Sequence, residues 1–283
     1  MNKLNLLIFV LLVLICALGF SVYLQNKAVP EQVIEEIKPA ALPPEPVKKP
    51  IVHYPVADTK TPTPETESPE KGKGESQPAV ESTPPETLPP VQESDQSIQA
   101  ALADLVSDKT IIGLLHIDNF IQKFVATVDN LPEKKLPRAH LPIIPPKGKF
   151  LVSGTIEEPQ ISARNYKRYG VYLRLMKSLD QDLALKVYTH FYPLFQSAYE
   201  QLGYKNAYFN DRLVYVIEHL LETPNPPDPI LLRQPAVLYI YADGGLENLS
   251  AGQKILLRIG QEQRMEVFKI LESYREKLTS LKP

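Results

Sequence analysis

Side chains able to do chemistry are few and dispersed in this 283-residue chain, and the densest polar group is Asn210-Asp211-Arg212, set directly before an apolar helical pattern. An asparagine there can cap a helix through its side-chain oxygen, and a carboxylate in the first turn is favoured by the helix dipole. A guanidinium is disfavoured at that end, so Arg212 needs a carboxylate partner, either Asp211 or one elsewhere in the fold. The expected result is a partly buried ion pair that locks the helix start; a ligand-binding pair is the other use of the same residues. A second group, Gln253, Lys254 and Arg258, falls along one helix with its two cations four residues apart. Like charges at that spacing repel mildly, which fits either a solvated face or an anionic partner.

Catalytic patterns are weaker. The five histidines, at positions 53, 116, 140, 190 and 219, form neither an HExxH motif nor an i, i+4 pair. The single cysteine, Cys16, sits in an apolar run, so no metal site, cofactor or disulfide is expected. Ser153-Gly154 and Ser250-Ala251-Gly252 lack the context of a nucleophile elbow, and neither a P-loop nor GxGxxG occurs. Hydrolysis of a cell-wall glycan needs only two carboxylates, which any acidic protein supplies, so that signal is unspecific.

The elements that must position these residues begin late in the chain. Leu4 to Leu24 is apolar and, as a helix at about 1.5 Å per residue, would span roughly 31 Å, enough for a bilayer core. Its flank, Gln25 to Ala28, offers no cleavage signal, so residues 1–27 are expected to be an uncleaved anchor rather than a signal peptide. The short amino terminus favours a cytoplasmic start, which would put the rest of the chain in the periplasm of a bacterium. Residues 28–93 hold 15 of the 28 prolines and carry 6 lysines against 12 acidic residues, a composition that reads as a disordered linker. From Ser94 onward 23 basic residues meet 21 acidic ones, too even a balance for nucleic acid.

Residues 94–283 read as one mainly α domain, a multi-helix bundle with one small β-hairpin at KFLVSGTIEEPQIS. Helices are expected from Ser94 or Asp95, after Asp108, over Asp118 to Asp129, after Ser162, over Asp180 to Leu202, and over Asp211 to Glu222 with Asn210 as cap. Two more follow Ser250 and Gln261, the last turning Met265, Phe268, Leu271, Tyr274 and Leu278 inward. A proline-rich strap from Leu131 to Pro146 should be anchored by Leu136, Leu141, Ile143 and Ile144. The helix over Asp180 to Leu202 stands out because it is apolar on two stripes. One is Leu183, Val187, Phe191, Leu194, Ala198 and Leu202; the other is Tyr188, Tyr192, Phe195 and Tyr199, which together mark a buried helix.

Four strings resemble the bacterial family catalogued as domain of unknown function 3014: VATVDNLP at Val125, FYPLFQSAYEQLGY at Phe191, YFNDRLVYVIEHLL at Tyr208 and LSAGQKILLRIG at Leu249. Gly244-Gly245 departs from the proline expected there. The resemblance implies single-pass, proline-linked envelope proteins and supplies no catalytic residues. The leading expectation is therefore a non-enzymatic binding or scaffolding module whose partner is an envelope protein or glycan. A cell-wall modifying enzyme, or a regulator of one, is the alternative.

Overall fold

The computed structural model describes residues 53–56, 88–105, 113–137 and 141–281. The expected anchor and most of the linker lie outside them; among the described residues no helix is long and apolar enough to cross a membrane. Eight α-helices carry the described domain: α1 (Asp95–Leu105), α2 (Phe120–Asn130), α3 (Arg164–Ser178), α4 (Gln181–Gln201), α5 (Phe209–Leu221), the single turn α6 (Gly244–Glu247), α7 (Ala251–Arg258) and α8 (Gln261–Thr279).

The two stripes of α4 face the core as their spacing requires, with Leu183 and Tyr192 half-buried and Leu202, past the helix end, 45% exposed. Asp180 caps the helix by accepting from the N–H groups of Asp182 and Leu183, and the helix runs on across Pro193. Phe195 stacks with Phe209 of α5, and Phe124 of α2 meets both rings edge-on. The most connected element is nevertheless α5, which packs against α2, α4, α7 and α8. It starts at Phe209, not at Asp211, because the fully buried Phe209 ring draws the first turn into the core. Asn210 is therefore a residue of the first turn and not its cap.

Three further expectations need correction. The hairpin β1 (Val152–Gly154) and β2 (Pro159–Ile161) is joined by a second antiparallel ribbon, β3 (Leu232–Arg233) and β4 (Ile240–Tyr241). A bridge between Gln160 and Leu231 links the ribbons, and Ile161, Ile230, Leu232, Tyr241 and Leu257 form a small core of their own. The helix expected after Asp108 falls largely outside the described residues, but Leu115 pairs with Ile143 of the strap as a β-bridge. On α8 the inner stripe is Arg264, Val267, Leu271, Tyr274 and Leu278, while Met265 is 40% exposed. A hydrophobicity rule prefers Met265, yet the 3, 4, 3, 4 spacing is satisfied only by including the arginine.

Val91–Glu93 forms a 3-10 turn with Val91 buried, and a separate short segment, His53 to Val56, lies against the domain.

Candidate functional site

The first turn of α5 holds that segment by its main chain. The N–H of Tyr54 donates to Asp211 Oδ1 at 2.6 Å, and Asn210 Nδ2 donates to the Tyr54 carbonyl at 2.9 Å. Both polar groups of one residue face the same side only where the backbone is extended, as in a strand pair. Tyr54 is disposed to this because the residue before a proline is pushed away from helical angles, and Pro55 follows it. Asp211 Oδ2 lies 3.1 Å from His53 Nδ1, whose ring sits 4.1 Å from that of Tyr208. Val56 completes the contact by burying its side chain in the main core.

Buried groups hold the grip rigid. Asn210 is fully buried, and its Oδ1 accepts from the Tyr188 hydroxyl of α4 at 3.1 Å, so its Nδ2 is aimed at Tyr54. Burial pushes the Tyr188 phenol well above its ordinary pKa, keeping it a donor. Next to the grip, Arg212 pairs with Asp129 of α2 rather than with Asp211. Its Nε donates to Asp129 Oδ1 at 2.9 Å and its Nη2 to the Asp129 carbonyl at 2.7 Å. The Tyr204 hydroxyl donates to the other carboxylate oxygen at 3.1 Å. This is the ion pair expected of a helix-locking arginine, and it leaves Asp211 free to hold Tyr54.

Outward from this network, Tyr208, Arg212, Tyr215 and His219 follow one another at steps of 4, 3 and 4 along α5. Tyr208 is 50% and Tyr215 44% exposed, and Arg212 lies over the Tyr215 ring at 5.1 Å. The stripe thus continues from the grip along one face of the helix. Tyrosine and arginine are the residue types that dominate binding energy where proteins meet.

The second predicted group is brought together for a different purpose. Ser250 caps α7, and Gln253 completes a capping box while donating its Nε2 to the His219 carbonyl. Lys254 pairs with Glu247 at 2.6 Å, and Arg258 is buried beside Tyr241. Tyr241 in turn donates to the Lys254 carbonyl, so the two cations hold the β3–β4 ribbon against α7 instead of forming a solvated face. Gly252 lets α7 approach: its N–H donates to the Leu131 carbonyl at 2.9 Å, and a Cβ there would meet Leu220 at 2.7 Å.

Two arrangements escaped sequence reasoning. Fully buried Arg264 donates to Asn225 Oδ1 from Nε and Nη2, at 2.9 and 2.7 Å, and to the carbonyls of Pro226 and Leu256. It pins the proline-rich loop after α5 to the start of α8, and only the helical spacing of α8 could have flagged it. His219 Nε2 lies 2.9 Å from Ser250 Oγ, but that hydroxyl is buried and already caps α7, which fits a structural joint between α5 and α7. Burial holds the His219 imidazole below its ordinary pKa. Among the described residues no three His, Cys, Asp or Glu side chains converge to hold a metal. A pocket between α3 and α8, lined by Tyr169, Met176 and Val267 among others, has about 10 Å³ of free space, room for one water.

Fold and site together define a helical domain that grips a main-chain segment at one helix start. The family described as Protein of unknown function (DUF3014) matches residues 120–275, and the chain belongs to it. No curated protein and no solved structure matches the chain.

Proposed function

We propose that this chain is a non-enzymatic binding module of the bacterial envelope, tethered to the inner membrane by Leu4 to Leu24 with its helical domain in the periplasm. Its ligand is an extended polypeptide, taken by the main chain at the first turn of α5. One observation carries this reading: Asp211 and Asn210 accept from and donate to the N–H and C=O of the same residue, Tyr54. Such a grip recognises extended backbone as a sheet edge does, while neighbouring side-chain sites supply preference. Exposed Tyr208 and Tyr215, with the half-buried Arg212 over the Tyr215 ring, supply adjacent contact area with aromatic and cationic character.

The test uses the full chain in detergent micelles and an array of extended ten-residue peptides. Asn210→Asp is the control, because it keeps the acceptor for Tyr188 and replaces the main-chain donor with a second acceptor. Peptides that bind the unaltered chain and are lost with Asn210→Asp support the reading. Binding that is absent throughout, or indifferent to Asn210→Asp, overturns it. The address is tested separately: in intact cells with a permeabilised outer membrane, protease should digest the domain, and protection would place it in the cytoplasm.

A further inference from the structure

The grip on α5 is filled by the chain itself, and what fills it specifies what else would fit. His53 to Val56 comes from a stretch whose composition gives no reason for order, and it is separated by residues 57–87 from the next described segment. Its contacts are of the kind a ligand makes. Main-chain hydrogen bonds fix its direction, the His53 ring lies tilted against Tyr208, a proline follows the gripped residue, and one β-branched side chain is buried at 6% exposure.

Building on the peptide-binding reading above, we propose that His53-Tyr54-Pro55-Val56 is an intramolecular competitor. The true ligand in trans is an extended polypeptide segment with the same aromatic, proline, β-branched order. The physical case rests on balance. Holding the segment fixes four residues and closes a loop of chain, against three hydrogen bonds, one buried valine and a half-buried Tyr54 side chain. No element of the helical core depends on it: α5 is secured by α2, α4, α7 and α8. Tethering gives the competitor a high effective concentration without tight intrinsic binding, so a ligand in trans displaces it when sufficiently abundant or better fitted.

Displacement has a mechanical result. With Tyr54 gripped, only the 25 residues Ala28 to Val52 separate α5 from the anchor, a contour of at most about 90 Å. With Tyr54 released, the chain from Ala28 to Thr87 sets the reach, more than doubling that contour. Ligand capture therefore lets the domain out on a longer tether.

Tyr54→Pro tests the competition, since it removes the N–H that Asp211 accepts and alters nothing on α5. The probe is a fluorescein-labelled peptide with the sequence of residues 49–60, KPIVHYPVADTK, titrated into the full chain in micelles and followed by anisotropy. The Tyr54→Pro chain should bind it at least tenfold more tightly than the unaltered chain. Adding Asn210→Asp to Tyr54→Pro should abolish binding while the circular-dichroism melt shows a folded domain. Equal affinity for the unaltered and Tyr54→Pro chains overturns the competition. A Tyr54→Pro chain that binds an alanine-rich peptide as well as the Tyr-Pro-Val peptide overturns the assigned preference and leaves the main-chain grip standing. Failure of the Tyr54→Pro chain to bind any peptide overturns both readings.

Discussion

Two helix starts in this domain grip irregular chain with polar side chains, and they differ in what surrounds them. At α8, fully buried Arg264 holds Asn225 and Pro226, in a loop that leaves α5 only a few residues earlier. At α5, Asn210 and Asp211 hold Tyr54, some 156 residues away in sequence, beside exposed aromatic side chains. The first grip is sealed, its acceptors are neutral, and losing it would strand several buried polar atoms at once. The second opens to the surface at exposed His53 and Tyr208, although Asn210, Asp211 and Val56 lie buried beneath them. Both use side-chain hydrogen bonds to irregular chain, a guanidinium donor at α8 and a carboxylate–amide pair at α5, but one arrangement builds the fold and the other is the proposed exchange site.

Removing the sealed grip should have the largest effect. Arg264→Ala leaves Asn225 Oδ1 and two carbonyls without their donor and opens a void in the inner stripe of α8. A loss of about 3 to 5 kcal/mol in unfolding free energy is expected, read as a fall in the urea midpoint. A midpoint unchanged within error would mean the loop is held by other contacts and would erase the contrast. Arg212→Ala should cost less, about 1 to 3 kcal/mol, because Asp129 keeps the Tyr204 hydroxyl and partial access to water. If Arg212→Ala proves as costly as Arg264→Ala, the α5 start is also structural and the difference between the two ends collapses.

Tyr54→Pro sharpens the comparison from the other side. It severs the gripped N–H yet should shift unfolding free energy by no more than about 1 kcal/mol, since the ordering entropy of the segment is returned. A large loss would make His53 to Val56 a structural strap of the domain.

How far these differences were legible depends on distance in sequence. The two stripes of α4, its start at Asp180 and the Ser250 helix start are local patterns, and local patterns survive into structure. That Arg212 needs a carboxylate followed from the helix dipole, but Asp129 lies 83 residues upstream and only the packing of α2 on α5 selects it. Asn210 was misplaced as a cap because the pull of a buried Phe209 ring is tertiary. The segment around Tyr54 was hidden by its composition: proline and acidic residues predict no core, and one buried valine is too little signal to contradict them. Arg264 was concealed by its charge, although its spacing with Val267 and Leu271 was on the page.

The smallest effect concerns the joint behind the exposed stripe. Burial depresses the pKa of His219 below its ordinary 6.5, so the folded state prefers the neutral ring and the unfolded chain takes the proton more readily. The stability this contributes is present in full above about pH 6.5 and is lost as the pH falls toward the lower folded value. His219→Gln keeps a polar group near Ser250 Oγ but does not titrate, so its urea midpoint should change less between pH 8 and pH 5.5 than that of the unaltered chain. Because His219 joins α5 to α7 and touches neither Asn210 nor Asp211, its protonation should weaken the α5–α7 joint. Equal acid sensitivity in the two chains would assign the pH dependence to other groups and remove His219 from the comparison.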